Sequence, residues 1–230
     1  KDFDDAVFCV EHTDGYDLYV AIADVSLYVK PGSNIDKEAI NRGTSIYFPN
    51  FVIPMLPEVL SNNLCSLKPN EDRPSLVVKI NLDKDCYLRK YNFFSAIIHS
   101  HARLTYTEVE NNSFESPLSN AVIDSLKNLK SLAHKRILIK DKRGAVRIHS
   151  KEHIIKINDD GTSKAISFRK NIFANQMIEE CMLLANECAA DLLNNRFGYA
   201  PFRVHEEPDK LKLKTLKKNA KEKDNIFMML

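Results

Sequence analysis

Apolar positions divide the chain near residue 117. Before that point they come in short runs separated by turn residues, as strands do. Residues 6–10 are one such run, and residues 18–25 are another after the turn-rich His12-Thr13-Asp14-Gly15. This spacing predicts a hairpin with Asp-Gly at its turn. Residues 76–82 predict a third strand, Asp83-Lys84-Asp85 a turn, and residues 87–100 a long, partly alternating fourth strand, so a second hairpin follows the first. Between the hairpins, Pro31-Gly32-Ser33-Asn34 predicts a turn and residues 35–41 a short helix with Asn34 as its cap. Residues 52–74 predict a long, mostly irregular connection whose apolar content argues against disorder. Thr105 and Glu108 have the spacing of a capping box.

After residue 117 the period lengthens. Val122, Leu126, Leu129, Leu132 and Ile137 recur at helical spacing within residues 117–142, with lysines on the outer face. Residues 154–157 and 165–168 predict a hairpin through Asp159-Asp160-Gly161, and residues 173–196 the longest helix. Residues 210–223 hold seven lysines, a pattern suited either to a solvated helix face or to nucleic-acid phosphates. The fold class expected is α+β: mainly antiparallel strands and hairpins in the N-terminal half, with long helices packed against them.

Composition is that of a globular protein, with 44% hydrophobic and 28% charged residues in 230. The net charge of +2 does not announce a nucleic-acid partner, so any basic surface must be local. No apolar run approaches the roughly 18 residues of a membrane span, and no signal-peptide pattern is visible. A membrane partner is therefore not expected. Cys9, Cys65, Cys86, Cys181 and Cys188 are scattered, odd in number and without zinc spacing. They read as reduced core thiols, which implies a cytoplasmic location and no disulfide-linked partner. The chain lacks an initiator methionine and finishes on the apolar residues 226–230, so it reads as a piece of a longer protein.

The first residues carry the most chemistry. Asp2, Asp4 and Asp5 place three carboxylates within four positions. A like-charge pair about 4 Å apart costs roughly 4 kcal/mol at an effective dielectric near 20. A shared cation reverses that cost. Mg²⁺ suits the cluster, because it takes hard oxygen ligands and keeps positions open for water and phosphate. In an extended strand Asp2 and Asp4 share one face and Asp5 takes the other; a bend at Asp4-Asp5 brings all three together. The competing reading is a solvated acidic terminus. The apolar hairpin that follows favours a site.

Other candidates are less defined. Tyr47 and Phe48 precede Pro49 and either stack on bases or fill the core, with Phe48 expected in the core. His99 and His101 share a strand face but lack a third ligand, so solvated or hydrogen-bonded histidines are expected. Arg103 suits a phosphate or a surface carboxylate. Glu179 and Glu180 interrupt the apolar stripe of the last long helix, where one exposed and one paired carboxylate would satisfy the pattern.

Several blocks resemble one known family. D-F-D-D-A-V, V-A-I-A-D-V-S-x-Y-V, N-R-G-T-S-I-Y-F-P, V-I-P-M-L-P-E-V-L-S-N-N-L-C-S-L and S-H-A-R-L-T-Y are similar to the catalytic (RNB) domain of the ribonuclease II/R family, nearest its bacterial ribonuclease R branch. The likeness is dense over residues 2–109 and returns at residues 177–186 and 202–205. It implies an RNB-type catalytic domain over 1–230, truncated, with the family's flanking cold-shock and OB-type RNA-binding domains outside this chain. It also implies processive 3′→5′ hydrolysis of single-stranded RNA to nucleoside 5′-monophosphates. By resemblance Asp2 and Asp5 hold Mg²⁺, catalysis depends most on Asp4, and Tyr47, Tyr106 and Glu180 contact the RNA 3′ end.

One position departs from the family. Ile148 stands where a phenylalanine usually clamps the terminal base. A further metal-binding aspartate, six residues before Asp2, and the arginine motif H-F-T-S-P-I-R-R-Y fall outside 1–230, so this stretch alone is expected to be nearly inactive. The alternatives are a catalytically silent RNA-binding module of the same fold and a two-metal DNA nuclease.

Overall fold

The computed structural model describes residues 3–145, 152–158, 162–169 and 172–222. Its strands are β1 (Asp5–His12), β2 (Gly15–Ala23), β3 (Ile46–Tyr47), β4 (Val52–Ile53), β5 (Asp72–Asp83), β6 (Leu88–His99), β7 (Glu152–Ile157) and β8 (Ser163–Arg169). Its helices are α1 (Asn34–Arg42), α2 (Tyr106–Asn111), α3 (Asn120–Lys142), α4 (Phe173–Phe197) and α5 (Lys210–Glu222). Two compact units meet at Ala189/Ala190, within α4.

In the first unit the two expected hairpins join into one antiparallel sheet of order β1-β2-β5-β6. Strand alternation gives the sheet two faces. Val7, Leu18, Val20, Val78, Ile80 and Phe93 point to the main core. Ala6, Ala23 and Ile98, on the opposite face, meet a smaller cluster built from Leu60, Cys65 and Leu67. The two clusters lie either side of the strand that carries the aspartates.

The β1–β2 register pairs His12 with Gly15, so the loop residues are Thr13 and Asp14, one position earlier than the Asp-Gly pair the sequence suggests. Gly15 opens β2 because a Cβ there would meet the Leu82 carbonyl oxygen at 2.0 Å, with φ at +146°. β1 is an edge strand, and α3 shields it. The Cys9 amide donates to Ser125 Oγ at 3.0 Å, and Asn128 Nδ2 donates to the Cys9 carbonyl at 3.2 Å. Two polar side chains of a helix thus satisfy backbone groups that an edge strand leaves open.

Helix α3 is a three-residue correction at its start: Ser119 caps it, accepting from the Val122 amide. Its inner face runs Ser125, Leu129, Leu132, Ala133, Arg136 and Ile139. Ile137 is only half-buried, because Arg136 occupies the inward position. Helix α4 follows its expected stripe through Met177, Cys181, Leu184, Ala185 and Cys188. Ser33, not Asn34, caps α1, since the Ser33 hydroxyl reaches the Asp36 amide. The capping box of Thr105 and Glu108 forms as its spacing predicts.

All five cysteines are buried and unbridged. Burial pushes Cys9 up to about 12 and Cys86 up to about 11, so neither thiol is a nucleophile near neutrality. Among the described residues no helix is long and apolar enough to cross a membrane.

The second unit holds the end of α4, an irregular stretch and α5. The Leu211 and Lys212 amides donate to Asp209 Oδ1, which caps α5. Lys210, Lys212, Lys214 and Lys218 are exposed on that helix.

Candidate active site

The aspartate segment enters the sheet under restraint from two directions. Phe3 and Asp4 precede β1 and so lie outside its ladder. The Ala23 amide donates to the Asp4 carbonyl at 2.9 Å. The Leu67 amide donates to the Phe3 carbonyl at 2.8 Å, and the Phe3 amide donates to Ser66 Oγ at 3.1 Å. The Arg103 guanidinium lies over the Phe3 ring, 5.2 Å from its centroid.

Asp4 and Asp5 are both exposed, and they serve different sides of the chain. Asp5 is in register with Ile22 at the head of β1, on the face shared with Val7 and Cys9. Its charge, with that of Glu180, adds to the burial that raises Cys181 on α4. Asp4 acts instead on Cys65, which is raised by burial first and then by Asp4 and Asp24, while Arg73 opposes. The charges of the two aspartates thus bear on different groups, Asp5 on Cys181 and Asp4 on Cys65. Asp2 lies outside the described residues, as does Ile148.

Asp24 is a carboxylate that the sequence reading passed over. It follows β2 directly, is half-buried, and accepts from Ser26 Oγ at 2.5 Å. Its only sequence signal is an acid closing an otherwise apolar strand. Ser66 was passed over too, and it is fully buried.

Glu180 is 3% exposed on α4, and Lys140 of α3 reaches it at 3.1 Å while also meeting exposed Glu179 at 2.9 Å. One lysine thus serves both carboxylates, the exposed Glu179 and the buried Glu180, where the sequence pattern suggested one exposed and one paired. Tyr47 is 69% exposed on β3, and Tyr106 opens α2 at 41% exposure. Phe48 corrects the expectation of a core residue. It is exposed and stacks on Phe51 at 4.5 Å, because the β3–β4 hairpin folds on itself rather than into either core. His99 and His101 make no metal pair: His99 Nδ1 lies 2.7 Å from Asp72 Oδ1, and the two rings pack 5.6 Å apart.

The donor chemistry of the segment suits a hard divalent cation. Asp4 and Asp5 offer carboxylate oxygens only. Partial desolvation raises the Asp5 carboxyl above its ordinary value, a shift that an opposite charge would compensate. A bound cation would supply that compensation. Among the described residues no group of three or more His, Cys, Asp or Glu side chains stands ready to hold a metal, so a full cage requires ligands beyond Asp4 and Asp5.

Comparison with known proteins places these features in a lineage. Residues 1–229 match the RNB domain family. The chain is 42% identical over 218 residues to the ribonuclease R of Vibrio parahaemolyticus, which covers 93% of this chain and 26% of that protein. It superposes on Mycoplasma genitalium RNase R in complex with ribose methylated single-stranded RNA with a TM-score of 0.92 and 38% identity, covering 96% of this chain and 35% of that one. The same enzyme in complex with double-stranded RNA matches at a TM-score of 0.92 and 37% identity, over 98% of this chain and 40% of that one. The chain spans about a quarter of the length of the curated relative and 35% to 40% of the two solved chains.

Proposed function

The chain belongs to the RNB domain family, and from that premise we propose that it is the catalytic domain of a 3′→5′ exoribonuclease. The substrate is the 3′ end of single-stranded RNA, and the products are nucleoside 5′-monophosphates released processively in the cytoplasm. The RNB match spans residues 1–229. The observation that supports this reading most is the Phe3-Asp4-Asp5 segment at the head of the sheet, tethered through both backbone groups of Phe3 and the Asp4 carbonyl, with two carboxylates adjacent in the chain.

In this reading Asp2 and Asp5 hold Mg²⁺. When bound, the ion supplies Lewis-acid polarisation of the phosphate and a more acidic water. Asp4 is the carboxylate on which catalysis depends most, orienting the attacking water or a second ion. Tyr47 and Tyr106 stack on the terminal bases; both rings are free enough of the core to do so. Glu180, kept buried by Lys140, sets the position of the RNA end from the α4 side. Mycoplasma genitalium RNase R has been solved in complex with single-stranded and with double-stranded RNA, which supports RNA as the polymer here.

The test uses the full-length protein on a 5′-labelled single-stranded RNA, with Mg²⁺ and then with EDTA. Stepwise shortening from the 3′ end, lost with EDTA and lost in Asp4→Asn while RNA binding persists, is the expected result. A wild type that binds RNA and never shortens it would make this a catalytically silent RNA-binding module.

A further inference from the structure

We infer that Ser66 is a positioning residue for Asp4. The inference rests on the nuclease reading above and concerns how the chain aims its catalytic carboxylate.

Phe3 and Asp4 stand outside the β-ladder, so nothing in the sheet fixes the Phe3 amide. Ser66 fixes it. Its hydroxyl accepts the Phe3 N–H at 3.1 Å across 63 residues of sequence. The Ser66 side chain is 0% exposed, so water does not compete for that bond. The next residue completes the grip, since the Leu67 amide donates to the Phe3 carbonyl. Both backbone groups of Phe3 are thus held by two consecutive residues of one loop.

That loop is itself rigid. A π-helical turn, Leu60–Leu64, leads into it, and the Cys65 amide donates to Leu60 O at 2.9 Å. The extra residue of a π-turn shifts the direction in which the following residues leave the helix. The Ser66 amide donates to Asn63 O at 3.1 Å, and Arg73 Nε donates to the Ser66 carbonyl at 3.1 Å. Arg73 is held in turn by Glu71. Ser66 is therefore anchored on its amide, its carbonyl and its hydroxyl, and Leu67 packs into the small core beneath Asp4.

The chemical consequence is directional. Asp4 is exposed and follows Phe3 by one residue, so freedom at the Phe3 amide becomes angular freedom of the Asp4 carboxylate. A displacement near 1 Å at a reacting group can cost about a hundredfold in rate. The substrate-binding candidates Tyr47, Tyr106 and Glu180 sit on other elements, so RNA affinity should not follow.

The experiment compares full-length wild type, Ser66→Ala and Ser66→Thr. Expected for Ser66→Ala is a 10- to 100-fold fall in kcat (roughly), an unchanged KM for RNA, and a higher Mg²⁺ concentration for half-maximal rate. Amide exchange at Phe3 should accelerate, while exchange in β2 and β5 stays as in wild type. Ser66→Thr, which keeps the acceptor, should recover most of the rate. If Ser66→Ala turns over like wild type, or loses rate only as its sheet loses protection, the inference is overturned and Ser66 is a packing residue. If wild type itself shortens no RNA, the nuclease reading fails and takes this inference with it.

Discussion

Lys140 Nζ lies 3.1 Å from Oε1 of Glu180, a carboxylate whose side chain is only 4% exposed, and the pair ties α3 to α4. Removing the lysine would strand a charge inside the protein. Breaking a buried pair from one side costs about 3–5 kcal/mol, and the partial exposure of Lys140 lowers that to about 2–3. Lys140→Met should therefore lower stability by that amount in denaturant titration. Glu180→Gln, which leaves a neutral group able to hydrogen-bond, should cost less.

The same pair sets a pH dependence. Partial burial pulls the Lys140 ammonium down, but the hydrogen bonds it donates to Glu179 and Glu180 outweigh that and leave its pKa above the ordinary 10.5. A group raised on folding contributes stability that is complete below its unfolded value and is lost as pH climbs through the folded one. Stability measured from pH 9 to 12 should fall more steeply in wild type than in Lys140→Met.

Arg136 makes the opposite case. It is 6% exposed, yet its Nε has no hydrogen-bond partner among the described residues. Its remaining contacts are long: 3.4 Å to the Cys86 carbonyl and 3.6 Å to Glu187, which is half in water. Desolvating a guanidinium for such contacts gains little. Arg136→Met, close in volume, should be neutral or stabilise by about 1–3 kcal/mol. A melting temperature clearly below wild type would mean that the arginine is better satisfied than these distances allow.

Sequence pattern reveals what is local, and these residues mark its limit. Periodicity finds both hairpins, α3 and α4, and the Thr105-Glu108 box, because each depends on neighbours within a few residues. It finds Leu129 and Leu132 on the inner face of α3 but misses the last turn, choosing Ile137 over Arg136, because an arginine buried against the β5–β6 turn breaks the hydrophobic rule it relies on. Phe48 misleads for a related reason: an aromatic beside a proline looks like core, and only the fold shows that it stacks on Phe51 while staying exposed. Asp2, Asp4 and Asp5 stand out in sequence as a cluster. Ser66 does not, because its partner lies 63 residues away and a lone serine in a loop carries no signal.

Gly15 tests the register that brings the aspartates to the sheet end. A methyl group there would sit 2.0 Å from the Leu82 carbonyl oxygen, and the backbone of β5 cannot yield without disturbing its pairing to β2. Gly15→Ala should destabilise by about 3 kcal/mol or more. Gly43 shares a positive φ, +70°, but meets nothing within 4 Å, so Gly43→Ala should cost only the strain of the left-handed conformation, about 1 kcal/mol. Equal losses at the two sites would mean that the β2–β5 approach is looser than described.

Tyr47 offers the cleanest separation of binding from folding. It is 69% exposed on a two-residue strand, so truncating it removes little packing. If the ring stacks on a base of the RNA 3′ end, Tyr47→Ala should weaken binding by about 1–3 kcal/mol, or roughly 5- to 150-fold. Tyr47→Phe keeps the ring and should bind within about twofold of wild type, since stacking does not need the hydroxyl. Melting temperatures of all three should agree within a degree or two, roughly the scale of exposed substitutions. Affinity is best read on a short single-stranded RNA in EDTA, where no turnover competes with binding. Loss in Tyr47→Ala with retention in Tyr47→Phe assigns the ring to the substrate. Unchanged affinity in both would move the stacking role to Tyr106 and leave the β3–β4 hairpin as an exposed aromatic surface of another kind.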